Sequence, residues 1–181
     1  MSNLILAIDP SLNSTGICVL PVESKTPIAY QCIRPPVGDP RRLSYIYSTY
    51  RTLFSTYRAD LSYIAYEKQM NQMRYGYQSG TILELAENIG VLKLSILHCI
   101  DNSRTKVVRV QPDVIKKYAT GNSKATKDDM IAAVNGNHIK SIRHSVPEDA
   151  VNDVADAYHL AHLVQSRISD GTISELIYGG W

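Results

Sequence analysis

Two hydrophobic rhythms alternate along the chain. LILAID (4–9) is an unbroken apolar run ending in a carboxylate, which reads as a buried strand. After the turn cluster PSLNS comes TGICVLPV (15–22), a second strand expected to pair with the first as a hairpin. IAYQCI (28–33) reads as a third strand, stopped by the breaker segment Arg34-Pro35-Pro36-Val37-Gly38-Asp39-Pro40. From Arg41 to Arg58 the period changes: Leu43, Ile46, Tyr47, Tyr50, Leu53, Phe54 and Tyr57 recur at three and four, the spacing of an amphipathic helix.

LSYIAYE (61–67) is a fourth strand, again ending in an acid. Residues 68–80 carry neither period and read as an exposed, basic, tyrosine-bearing loop. Residues 81–100 are helical, with Glu84, Glu87, Asn88, Ser95 and His98 forming a narrow polar stripe. The remaining apolar arc is broader than one sheet face requires, which points to a second packing partner such as another subunit. TKVVRV (105–110) is a fifth strand, and Pro112 opens a helix over DVIKKYA. TGNSKA is a loop, after which Thr126 caps a helix over KDDMIAAVN (127–135). Pro147 opens a last long helix running to Ile168, with Glu148 and Asp149 near its positive end. Residues 169–181 are expected to form a surface tail. The order of elements predicts a single α/β domain over residues 1–181: a mixed five-stranded sheet flanked by helices.

Composition narrows the class. The 181 residues are 44% apolar and 20% charged, enough for an ordinary core. No apolar run reaches the roughly 18 residues of a membrane span, and MSNLILAID lacks a basic segment and a cleavage site for secretion. Cys18, Cys32 and Cys99 have neither even count nor metal-ligand spacing, so they read as small buried hydrophobes in a reducing compartment. The net charge of +2 hides an asymmetry: Arg104–Arg143 holds nine basic and three acidic residues, and His144–Trp181 one basic and six acidic. A basic block beside an acidic one suggests a polyanion partner and cations held by carboxylates.

Four acids stand out. Asp9 and Glu67 end strands, and Asp153 and Asp156, three apart, share one face of the last helix amid Val, Ala and Leu. Acids are seldom buried unless paired or bound to metal. If the four converge, they raise one another's pKa unless hard cations such as Mg²⁺ or Mn²⁺ neutralise them. Two such ions suit phosphodiester hydrolysis. Taken singly each acid has a plainer reading: Asp9-Pro10 is sound turn chemistry, Glu67 a solvated strand end, and the helical pair an exposed acidic face. Lys116, Lys117, Lys124 and Lys127 suit phosphate contact and charge stabilisation at a scissile bond, or a solvated surface. His159 follows Asp156 on the same helix and suits a core or surface position better than water positioning.

With these residues assembled, the sequence resembles the RuvC-type Holliday junction resolvases of the RNase H-like superfamily, from residue 3 to about residue 165. The resemblance rests on LAIDPSLNSTGICVL (6–20), YIAYEKQ (63–69), LELAENIGVLK (83–93) with its Gly90, VIKKYATGNSKATKDDM (114–130) and DVADAYHLA (153–161), in that order. It implies an RNase H-like fold and a homodimer that cuts four-way DNA junctions symmetrically on two opposed strands. It implies Asp9, Glu67, Asp153 and Asp156 as ligands of two Mg²⁺ ions per site, with Mn²⁺ able to substitute and Asp9 shared between the ions. Lys116 and Lys127 fall on the family's two-lysine spacing and would neutralise the phosphate. Lys68, Met70, Arg74, Tyr75, Tyr77, Lys117 and Lys124 complete the expected DNA contacts. The loop after Glu67 is longer than in many bacterial members, and Met70 stands where they place an aromatic; Tyr75 or Tyr77 would supply the stacking group. A lone resolvase of this kind suits the cytoplasm of a bacterium or a phage-infected one. The same acids would serve an RNase H-like nuclease acting on other branched DNA or RNA–DNA hybrids. A non-cleaving junction-binding protein is a further alternative.

Overall fold

The computed structural model describes residues 3–11, 13–36, 38–68, 79–101 and 103–177, with the backbone alone at 79–81. The apolar runs form five strands: β1 Leu4–Asp9, β2 Thr15–Pro21, β3 Ala29–Ile33, β4 Leu61–Glu67 and β5 Lys106–Val110. They lie in one mixed sheet in the order β3-β2-β1-β4-β5. β1 and β2 pair antiparallel through a hairpin, as do β2 and β3, whereas β4 and β5 continue parallel to β1. β1 is central, which is why its sequence is apolar without alternation.

Strand alternation sorts the side chains between two layers. Leu4, Leu6 and Ile8 of β1, with Ile17, Val19, Ile64, Tyr66 and Val107, face helices α1 (Arg42–Tyr57) and α2 (Ser79–Cys99). There they meet Ile46, Tyr50, Phe54, Leu92 and Ile96, all nearly solvent-free. Ile5, Ala7, Cys18, Leu20, Ala65, Val108 and Val110 face the other way. That layer holds α3 (Pro112–Thr120), α4 (Lys127–Ala132), α5 (Gly136–Ser145) and α6 (Val151–Ser169). α6 lies directly on the sheet, and its buried face is rich in small or branched residues: Val154, Ala155, Ala157, Ala161 and Val164. Small side chains let the helix axis approach the strands closely.

Several boundaries differ from the sequence expectation; α2 begins at Ser79, two residues inside the expected loop. The helix predicted over 127–135 ends at Ala132, and a separate α5 follows that is not among the helices expected from the sequence. The Asn135 side chain accepts from the Asn137 backbone N–H and caps α5, so Asn-Gly works as a helix start rather than a helix end. Ile139 and Ile142 of α5, with Val146 just beyond it, keep the helical spacing and pack on the core, but two apolar residues in a ten-residue polar helix are a short signal. The last helix begins at Val151, because Pro147 leads first into a 3₁₀ turn over Glu148–Ala150. Finally, the segment after α6 lies at the surface yet packs inward: Ile173, Leu176 and Ile177 rest on the core, and Ile177 bridges to Val108. Among the described residues no helix is long and apolar enough to cross a membrane. Cys18, Cys32 and Cys99 are free thiols, the first buried and the others half-buried.

Candidate active site

Register and pleat place the first two acids. Ile8 of β1 pairs with Tyr66 of β4 in parallel register, so Asp9 and Glu67 end neighbouring strands side by side. Asp9 follows the alternation of Ile5 and Ala7, and Glu67 that of Ala65, so both side chains leave the sheet on the α6 side. The second pair comes from α6 itself. Its first turn lies against β2, where Gly16 stands opposite Asp9 in the hairpin ladder. A Cβ on Gly16 would overlap the backbone carbonyl of Asp153 and sit 2.6 Å from the Val154 nitrogen. Glycine is therefore required by the close approach. The Ser14 hydroxyl then donates a 2.6 Å hydrogen bond to Asp153 Oδ2.

The lysines arrive on two short helices. Pro112 opens α3, and Gly121, in the left-handed region, stops it with its N–H on the Lys117 carbonyl. The chain then turns into α4 through a capping box: Thr126 Oγ1 accepts from the Asp129 N–H at 3.2 Å and Asp129 Oδ2 from the Thr126 N–H at 2.8 Å. That box fixes Lys127 at the first helical position, beside the acids.

The electrostatics follow from this convergence. Burial, then the charges of Glu67, Asp156 and Asp153, raise the Asp9 carboxyl well above the ordinary aspartate range, with Lys127 opposing. Burial and Asp156 push Glu67 up to about 7, against the pull of Lys116. Burial and Asp153 raise Asp156 to about 6, against Lys127 and Lys116. Asp153 is also raised by burial, offset by the Ser14 hydrogen bond and Lys127. Asp156 Oδ1 is buried and has no hydrogen-bond partner among the described residues. Four mutually repelling carboxylates, one with an orphaned oxygen, fit hard divalent cations as their missing counter-charge. Among the described residues no three acidic, histidine or cysteine side chains close on one point as a finished cage.

The structure thus brings together Asp9, Glu67, Asp153, Asp156, Lys116 and Lys127. Lys117, the neighbour of Lys116, instead lines a groove of about 710 Å³ with Asp113, Arg167 and Asp170, because adjacent helical residues point about 100° apart. Lys124 is exposed in the α3–α4 loop, and Lys68 is exposed just beyond β4, its N–H bonded to the Val110 carbonyl. Met70, Arg74, Tyr75 and Tyr77 lie outside the described residues. His159 is buried with Nε2 on the Met130 carbonyl at 2.8 Å, a core role rather than a water-positioning one. Ser14 is not marked out by the sequence pattern, and Asn88 is marked only as part of a polar stripe. A signal for Asn88 is nonetheless present: an amide amid apolar helix positions needs a buried partner.

The sequence profile of crossover junction endodeoxyribonuclease RuvC matches residues 5–162. Proteins of that name from Rhodopirellula baltica and Prochlorococcus marinus are 29% and 26% identical to the chain. The first alignment covers 86% of this chain and 82% of the relative, the second 84% and 92%. Thermus thermophilus RuvC superposes with a TM-score of 0.67 at 17% identity, covering 93% of this chain and 97% of that one. The same protein in complex with a Holliday junction substrate gives 0.68 at 15% identity, over 94% and 97%. A yeast mitochondrial Holliday junction resolvase gives 0.61 at 14%, over 94% and 82%. The mixed five-stranded sheet with its flanking helices is the RNase H-like fold of these neighbours. With the profile running from the second residue of β1 into α6, the chain belongs to the RuvC family of crossover junction endodeoxyribonucleases.

Proposed function

We propose that this chain resolves four-way DNA junctions by paired phosphodiester hydrolysis, with Asp9, Glu67, Asp153 and Asp156 holding two divalent cations, Mg²⁺ or Mn²⁺. The observation that carries the reading is the gathering of these four acids, from three separate elements, beside two lysines. Ions bound there would supply activation of a water and charge stabilisation at the leaving oxygen. Asp9 lies within the field of all three other acids, and its carboxylate would hold ions together with them. Ser14 occupies one oxygen of Asp153 and so fixes its carboxylate plane. Lys116 and Lys127 balance the site's negative charge and face the phosphate as it gains charge. Lys117, Lys124, Lys68, Arg74, Tyr75 and Tyr77 contribute the remaining DNA contacts.

Two equivalent strands are cut, which suits a two-fold dimer. Leu83, Leu94 and Leu97 of α2 are 65%, 45% and 47% exposed, and Gly90 between them has open space beyond its Cα. These positions form one stripe along the helix, and that stripe is the proposed homodimer face. The bacterial relatives and the free thiols support work in the cytoplasm of a bacterium or phage-infected cell.

The test is incubation with a synthetic four-way junction, a flap, an RNA–DNA hybrid and a linear duplex, with and without Mg²⁺, at several salt concentrations. Paired cuts in the junction alone, dependent on Mg²⁺, are expected. Equal cutting of flap or hybrid would replace this reading by a broader nuclease activity, and binding without cutting by a junction-binding role.

A further inference from the structure

Asn88 lies in α2, on the face of the sheet opposite the acids, and is 2% exposed. Its amide nitrogen donates to the Ser11 carbonyl at 2.8 Å and to Thr15 Oγ1 at 3.3 Å. Its amide oxygen accepts from the Tyr50 hydroxyl of α1 at 3.3 Å. Both N–H donors and the carbonyl are thus engaged, the condition under which a buried amide is tolerated. Its two hairpin partners bracket the β1–β2 turn. Ser11 lies two residues after Asp9, and Thr15 is the first residue of β2, beside the Gly16 that pairs with Asp9. Alternation explains the geometry: Thr15 points to the α1/α2 layer, and Gly16 to α6. On its other side the same turn reaches α6 through the Ser14–Asp153 hydrogen bond.

We infer that Asn88 is a positioning residue that clamps the β1–β2 turn from behind and so holds Asp9 and, through Ser14, Asp153 in their ion-binding arrangement. The inference rests on the acidic site proposed above. It gives α2 two duties, a buried clamp on the active-site hairpin and an outward apolar stripe. Groups hydrogen-bonded directly to metal ligands typically change metal affinity about 10- to 100-fold when removed, and Asn88, one step further out, belongs at the low end of that range. Asn88→Leu keeps the approximate volume and deletes all three hydrogen bonds.

The experiment measures Mn²⁺ binding to the DNA-free protein by electron paramagnetic resonance, together with thermal unfolding and junction affinity in chelator. Asn88→Leu is expected to weaken Mn²⁺ binding about tenfold, leave junction affinity in chelator unchanged, and raise the Mg²⁺ concentration needed for half-maximal single-turnover cleavage. Thr15→Val, which removes one of the three bonds, is expected to shift Mn²⁺ binding the same way by less. A folded Asn88→Leu protein with wild-type Mn²⁺ affinity would overturn the inference. If Asn88→Leu does not fold, Thr15→Val decides: wild-type Mn²⁺ affinity there overturns the inference, and a weakened one supports it. Failure of the wild-type protein to cut junctions would defeat the functional reading separately, because the Mn²⁺ titration contains no DNA.

Discussion

Gly16 and Asp153 meet backbone to backbone, with no room between them for a single methyl group. The contact joins the hairpin that carries Asp9 to the helix that carries Asp153 and Asp156, so it sets the spacing of the acids. Gly16→Ala must push β2 and α6 apart. Overpacking of this kind costs about 1–3 kcal/mol, and the displaced acids would lose cleavage more severely than stability. Urea unfolding and single-turnover cleavage of the same protein check both; a variant with wild-type rate would show that the spacing of the acids tolerates the shift.

Asp9→Asn removes the carboxylate that interacts with all three others. Cleavage is expected to disappear while junction binding stays nearly intact, since affinity rests on lysine and arginine contacts to phosphate. Near-normal cutting by this variant, measured beside a gel-shift titration, would remove Asp9 from the reaction.

The raised carboxyls give the site a defined pH signature. Ions bind the deprotonated acids, so cleavage is expected to rise with pH through the region of about 6 to 7 set by Asp156 and Glu67, and to level off only once Asp9, raised by burial and the other three acids, is ionised as well. More Mg²⁺ competes better with protons and moves the rise to lower pH. Without metal the sign reverses for stability: above the ordinary glutamate range the folded protein must ionise Glu67 against its surroundings, and the unfolded chain need not. Glu67→Gln in chelator is therefore expected to match the wild type near pH 4 and to exceed it increasingly up to about pH 8. Comparing the two proteins cancels the opposite trend from His162, which burial first, then His138 and His159, hold down to about 4. Parallel stability curves would mean that Glu67 carries no such penalty.

Lys116→Ala is expected to slow single-turnover cleavage by about a hundredfold, on the order of 3 kcal/mol in the barrier, at saturating enzyme. Lys124→Ala, exposed and on the α3–α4 loop, is expected to weaken binding and flatten its salt dependence with little change in that rate. Equal, wild-type rates for both would reduce Lys116 to a phosphate anchor.

Gly90→Gln separates the fold from the assembly. The site is open space in the protomer, and replacing a mid-helix glycine removes a helix penalty of up to about 1 kcal/mol, so the isolated protomer is expected to gain stability. A longer side chain between Leu83 and Leu94 would nonetheless obstruct a partner helix. Sedimentation velocity is expected to show Gly90→Gln and Leu94→Glu shifted towards monomer; unchanged dimers would place the interface elsewhere.

Much of this was legible along the chain because the signals are local. A strand buried on both faces must be apolar throughout, so LILAI announced the central strand, and an acid ending such a run was conspicuous. Thr126 as a cap, Pro112 at a helix start and the three-residue spacing of Asp153 and Asp156 are short-range rules of helix geometry, and each holds in the folded chain. Polar α5 is faint along the chain because only Ile139 and Ile142 mark its inner face, too few apolar residues for a ten-residue segment to stand out from a loop.

Tertiary structure decided the rest. The family's two-lysine spacing singles out Lys116, but nothing in the local pattern of α3 says why Lys116 turns towards the acids while Lys117 turns to the groove beside Arg167, since that depends on which face of α3 meets α6. Nor does local pattern reveal that Ser14 finds Asp153 across 139 residues, or that Asn88 reaches back to Ser11 across 77. The sequence alone determined which residues carry charge, which segments must be buried and in what order they follow. Which charges face one another was set by the packing of α6 and α2 on opposite faces of one sheet, because contact between distant residues is a property of how buried surfaces fit, and no residue's neighbours in the chain encode that fit.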